Sequence, residues 1–111
     1  MSARSSMDLL RGTVDVLILR TLVWEPMHGY GIAQFLRQRT GGTIAIESAA
    51  LYQALHRLEK RKWVRAWWGI SESNRRARFY ELTAAGRRQL RTQASDLTAY
   101  ATALIAVLEP G

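Results

Sequence analysis

Tyr52, Gln53 and His56 are spaced so that a helix would carry them on one side, together with Ser48, Ala49 and Lys60. Those side chains suit the edges of base pairs. A glutamine can hold adenine through two hydrogen bonds, and an alanine methyl can meet the methyl of thymine. Leu51, Leu55 and Leu58 fall on the opposite face of the same helix. So short a helix needs a partner to bury its leucines. Once they are buried, the polar face is free to enter a major groove. Ser48 comes just before the helix formers, where its hydroxyl would cap the first turn.

The second group with chemistry is cationic. Between residues 57 and 91 stand Arg57, Lys60, Arg61, Lys62, Arg65, Arg75, Arg76, Arg78, Arg87, Arg88 and Arg91, against only Glu59, Glu72 and Glu81. That excess is larger than the net charge of +7 carried by the whole chain of 111 residues. A basic chain favours polyanions. A solvated basic surface is the plain alternative, but this run flanks the candidate reading helix. Arg57 and Lys60 are therefore candidate DNA contacts beside Ser48, Ala49, Tyr52, Gln53 and His56. Arg75, Arg76 and Arg78 are candidates for phosphates or the minor groove.

Other chemistry is poorly provided for. The chain has no cysteine, which excludes disulfides and thiolate metal sites. His28 and His56 lie in separate motifs, and neither a zinc-protease nor a phosphate-loop pattern occurs. Gly29-x-Gly31 and Gly41-Gly42 are too short for a phosphate loop and mark helix boundaries. No enzyme, metal or cofactor is expected. Apolar runs fall short of the roughly 18 residues of a membrane span, and no signal pattern opens the chain. A cytoplasmic protein without membrane contact is expected.

The elements that position these groups follow in order. Residues 1–6 form a short polar tail, expected to be disordered. Met7 to Val23 predicts a helix with Leu10, Val14, Leu17, Ile18 and Leu22 on its apolar face. Leu9, Val16 and Leu19 extend that surface toward a second partner, so Leu9 and Val16 are candidates for a subunit interface. Trp24 to Gly29 reads as a break around Pro26. Tyr30 to Thr40 predicts a second helix, closed by Gly41-Gly42. Thr43 to Glu47 alternates briefly and is read as a short strand. After the helix begun at Ser48, Val64, Ala66 and Trp68 alternate with Arg65 and Trp67. A polar loop over residues 69–76 follows. Ala77 to Leu82 then alternates again, with Phe79 set against Arg78, Tyr80 and Glu81. Two such runs predict a β-hairpin.

Thr83 is a good cap for a last helix over Ala84 to Leu108. Leu90, Ala94, Leu97, Ala101, Leu104 and Leu108 form a heptad-like seam along it, with Tyr100 beside the seam. A helix of about 25 residues spans about 37 Å, more than so small a domain covers. A second copy of the chain is the simplest partner; folding back on its own domain is the alternative. The fold class is thus mainly α with a small β-hairpin. Residues 7–82 form a winged helix-turn-helix, and residues 83–111 form a C-terminal dimerisation helix.

Three stretches, Met27-His28-Gly29-Tyr30-Gly31-Ile32, residues 51–59 from Leu51-Tyr52-Gln53 to Leu58-Glu59, and Tyr80-Glu81-Leu82-Thr83-Ala84-Ala85-Gly86-Arg87, resemble the PadR family of bacterial transcriptional regulators. The similarity runs from about Met7 to the C-terminus, with the length of the short subfamily. It implies a homodimer on a pseudo-palindromic operator of double-stranded DNA, usually a repressor, often released by a small aromatic effector. It places Tyr52 at the DNA backbone and Tyr30 near the start of the second helix, adding Tyr30 to the candidate contacts.

Two positions depart from the family pattern. Gln53 stands where proline is frequent, and Lys62 where a glycine commonly closes the reading helix. Either Lys62 takes a left-handed cap at a cost of about 1 kcal/mol, or the helix ends differently. The tryptophans Trp24, Trp63, Trp67 and Trp68 are read as core or hairpin packing, with a stacking surface for a planar ligand as the alternative. The rival functional reading is a ligand-sensing or protein-interaction module that keeps the scaffold without binding an operator. RNA is a weaker candidate, because no aromatic stacking sheet of the RNA-module kind is evident.

Overall fold

The computed structural model describes residues 6–110, with side chains from residue 12 onward. The expected tail, apart from Ser6, and the side chain of Leu9 lie outside the described residues. The elements run α1 (Ser6–Thr21), β1 (Met27–His28), α2 (Gly29–Arg39), α3 (Ser48–Lys60), β2 (Val64–Ile70), β3 (Arg76–Leu82) and α4 (Ala84–Leu108). The strands form one antiparallel sheet in the order β1-β3-β2. Four helices and this small sheet make a winged helix with a long C-terminal helix.

One core holds the domain. Ile18 and Leu19 of α1, and Leu22 just after it, meet Ile32 and Leu36 of α2 there, with Leu51, Leu55 and Leu58 of α3 and Val64, Tyr80 and Leu82 of the sheet. The leucine face of α3 is therefore the anchor its spacing predicted. Truncating such a leucine to alanine costs about 2–5 kcal/mol. Val16 and Leu90 belong to this core as well. That corrects their assignment to a subunit interface, because α1 and α4 pack on each other and cover both residues within one chain.

The helix ends are built from specific residues. Thr83 caps α4, its Oγ1 accepting the N–H of Gly86 at 3.0 Å. His28 caps α2 through Nδ1, which accepts the N–H of Gly31 at 3.0 Å. Gly41 and Gly42 close α2 with positive φ. At the end of α3, Lys62 has φ +63. Its N–H donates to Glu59 at 3.0 Å, and that of Trp63 donates to Leu58 at 3.0 Å. The helix therefore ends in a Schellman turn with a lysine in the position that glycine prefers.

Five expectations need correction. Ser48 is the first helical residue and not the cap; Glu47 holds that place without a side-chain bond. Thr43 to Glu47 is not a strand. The additional strand is Met27–His28, inside the stretch read as a break, and it pairs with Tyr80 and Phe79. Tyr80 points inward and is buried. In β3 the alternation puts Arg78, Tyr80 and Leu82 toward α3, while Phe79 stacks on Trp67 on the other face. The hairpin strands are also longer than predicted, which shortens the connecting loop to residues 71–75.

Candidate nucleic-acid interface

With its leucines buried, α3 turns Ser48, Ala49, Tyr52, Gln53, His56 and Lys60 to the outside. Tyr30, at the start of α2, is 69% exposed beside them. The Tyr52 ring lies over Gly29, where a Cβ would come within 2.6 Å of its hydroxyl. Glycine at the first turn of α2 is what lets Tyr52 sit across the two helices.

The hairpin forms the other wall. Between it and the N-terminal ends of α2 and α3 lies an open cleft of about 820 Å³, lined among others by His28, Tyr30, Tyr52, Trp68, Arg75 and Arg76. A smaller hollow of about 500 Å³ continues along α3 and shares Tyr52, Arg78 and Tyr80 with it. Trp68 faces the cleft, with the guanidinium of Arg76 at 4.6 Å and that of Arg78 at 5.7 Å from its ring. Such stacking holds Arg76 extended without neutralising it.

The expected cations divide into two sets. Lys60, Arg75 and Arg76 are exposed and pair with no carboxylate among the described residues. Arg57 and Arg78 are not free. Arg57 donates to Asp15 at 2.9 Å and ties α3 to α1. Arg78 donates to Glu59 at 2.8 Å and ties the wing to α3. Both help position the scaffold in the free protein, so neither is the free cation that its assignment as a DNA contact supposed. Burial pushes the Asp15 carboxyl above its usual range, and the bond from Arg57 pulls it only partly back. Burial likewise raises the Tyr80 phenol at the floor of the cleft.

Three residues with roles here are not marked by the sequence pattern as DNA contacts. His28 both caps α2 and lines the cleft; a polar residue three positions before Gly31 was the available signal. Trp68 was read only as hairpin packing or a ligand surface. Glu72 enters the cleft from the wing loop, and nothing in its sequence setting marks it. Among the described residues no metal-binding group of acids and histidines occurs, and no helix is long and apolar enough to cross a membrane.

A leucine-anchored helix with an exposed polar face, beside a basic wing, defines a winged-helix protein of the nucleic-acid-reading class. Residues 18–92 match the model of the Transcriptional regulator PadR-like family, and the chain belongs to that family. It is a DNA-binding transcriptional regulator and not an enzyme. An uncharacterized protein of Lysinibacillus sphaericus is 32% identical over 83 residues, covering 75% of this chain and 76% of that protein. A transcriptional regulator from Clostridium thermocellum superposes with a TM-score of 0.79 at 26% identity, over 92% of this chain and 99% of its own. A PadR family transcriptional regulator from Eggerthella lenta gives a TM-score of 0.73 at 28% identity, over 95% and 89% of the two chains.

Proposed function

We propose that the chain is a cytoplasmic repressor that binds a pseudo-palindromic operator as a homodimer. The N-terminal half of α3 enters the major groove with Ser48, Ala49, Tyr52, Gln53 and His56, while Arg75 and Arg76 grip flanking phosphates. The observation that carries this reading is the exposure of Tyr52 and Gln53 over a fully buried leucine face, beside unpaired arginines on the wing. Two-fold symmetry then sets the half-sites about 34–36 Å apart, one helical turn, or a multiple of that.

Dimerisation is supported by α4. Ala94 and Leu97 are half-buried against the core, but every residue from Thr98 to the end of the helix is exposed. The exposed set includes Tyr100, Leu104, Ile105, Val107 at 82% and Leu108 at 78%. With Ala101 these form a contiguous apolar surface, of the kind that marks a contact with another chain. Ala94, Leu97, Tyr100, Ala101, Leu104 and Leu108 are the interface residues of the proposal; Leu9 joins them from the sequence alone. A small aromatic effector that loosens DNA binding belongs to the same reading. Of the four tryptophans, Trp24 and Trp68 are the most exposed and the most available to stack on it.

Selection of bound duplexes from a random pool tests the proposal. A recovered inverted repeat, bound at two chains per duplex, is the expected result. Recovery of no preferred sequence would favour the ligand-sensing or protein-interaction module instead.

A further inference from the structure

The cleft assigned to the duplex is basic, yet one carboxylate reaches into it. Glu72, on the loop of the wing, places Oε2 3.6 Å from Nε2 of His28. The two partners are held very differently. The Glu72 side chain is 88% exposed, and the one basic side chain it approaches among the described residues is His28. The His28 side chain is 13% exposed and its ring packs edge-on against Phe79, with centroids 5.4 Å apart. Because Nδ1 accepts the Gly31 N–H, the neutral ring carries its proton on Nε2. A fixed N–H donor therefore faces the cleft, with a movable anion against it.

We propose that Nε2–H of His28 is a contact for a DNA phosphate, and that the Glu72 carboxylate is its stand-in in the free protein. Rested against His28, Glu72 draws the wing loop toward the start of α2. An arriving duplex replaces one anion with another: a phosphodiester oxygen closes on the donor that the carboxylate only approaches, at 3.6 Å, and the carboxylate swings into solvent. The surroundings favour this exchange. The Tyr52 hydroxyl lies over Gly29, the next residue in the chain. Arg75 and Arg76 close the same loop and line the same cleft, so the phosphate meets two cations as the carboxylate leaves. Glu72 thereby lowers affinity for every duplex and keeps the wing ordered when none is bound. This inference rests on the DNA-binding reading above.

A double-mutant cycle on the duplex selected by the wild-type protein tests it. His28→Asn keeps an oxygen that can cap α2 but is too short to present the Nε2 donor. Glu72→Gln removes the charge. In the wild-type background Glu72→Gln should tighten binding about two- to five-fold, the range of a single exposed electrostatic contact. His28→Asn alone should weaken binding, and in its background Glu72→Gln should lose most of its effect. Equal tightening in both backgrounds would show that Glu72 only repels DNA from a distance, and would overturn the proposal. The second arm needs no DNA. Glu72→Ala, which leaves no acceptor for Nε2–H, should speed amide exchange at Ser71 and Asn74, whose N–H groups bond to Arg75 and Ser71 within the loop. Unchanged exchange there would also overturn it. Glu72 is exposed, so this arm stands even if His28→Asn fails to fold. If the wild type selects no duplex, the DNA reading fails and the exchange arm still decides the contact between Glu72 and His28.

Discussion

Replacing Lys62 with glycine should stabilise the protein. Lys62 closes α3 with φ +63, a conformation that costs an L-residue roughly 1–2 kcal/mol. Glycine adopts it freely, at the cost of a more flexible unfolded chain, about 0.4–1 kcal/mol. The two N–H bonds of the turn, to Glu59 and Leu58, are made by backbone and survive. So does the bond from Thr83 Oγ1 to the Lys62 carbonyl at 2.8 Å, which seats the start of α4. The Lys62 side chain is exposed and has no ion-pair partner among the described residues, so little is lost with it. The net gain should be about 1 kcal/mol, raising Tm by about 4 °C or somewhat more for a domain of this size. Urea unfolding followed by tryptophan fluorescence, at one fixed protein concentration, measures it. The midpoint should rise with an unchanged m-value. Lys62→Ala is the control, because it removes the same charge and keeps the strain. If Lys62→Gly is no more stable than Lys62→Ala, the argument from left-handed strain is wrong.

Gly86→Ala should be strongly destabilising. Its Cβ would overlap the carbonyl oxygen of Trp63 and come within 2.8 Å of Leu82, and backbone cannot yield as a side-chain tip can. A loss of about 3 kcal/mol in the same unfolding assay is expected. Gly29→Ala meets only the far end of Tyr52, so Tm should hold within about 2 °C while DNA affinity falls as Tyr52 is pushed aside. Asp15 gives a pH signature. Its folded pKa lies above the ordinary 3.8, so the folded chain holds this proton more tightly than the unfolded one. Its contribution to stability is then largest below 3.8 and is lost as pH rises through the raised value. Asp15→Asn, compared with wild type at about pH 3 and about pH 7, should become relatively more stable at the higher pH; the opposite trend would refute that sign.

Most of the architecture was legible because it is periodic. The leucines of α3, the heptad-like seam of α4 and the alternation in the hairpin each write a repeat into neighbouring residues. Lys62 was legible as a conflict between the cap position and the residue in it. What stayed hidden depends on partners distant in the chain. Two residues, Met27 and His28, show no alternation, and they form a strand only because β3 offers them an edge. Arg57 and Arg78 look like any basic residues until Asp15, 42 positions away, and Glu59, 19 positions away, are placed beside them. Charge counting could not separate these structural arginines from the free Arg75 and Arg76. Tyr80 was misplaced for a related reason. A tyrosine between Phe79 and Glu81 fits either face, and the depth of the core beneath β3 decided which. Val16 was read as surplus apolar surface and Leu90 as part of a seam for a second chain, whereas both lie in the core of one chain.

The central claim is that the outer face of α3 reads bases while the wing supplies sequence-independent grip. Duplex selection repeated with two variants tests it most directly. Gln53→Ala should return a changed base preference. The double variant Arg75→Ala with Arg76→Ala should return the wild-type motif with weaker binding and a salt dependence shallower by about two units of slope. A Gln53→Ala protein that selects the unaltered motif, or a wing variant that selects a different one with its salt slope intact, would contradict the account.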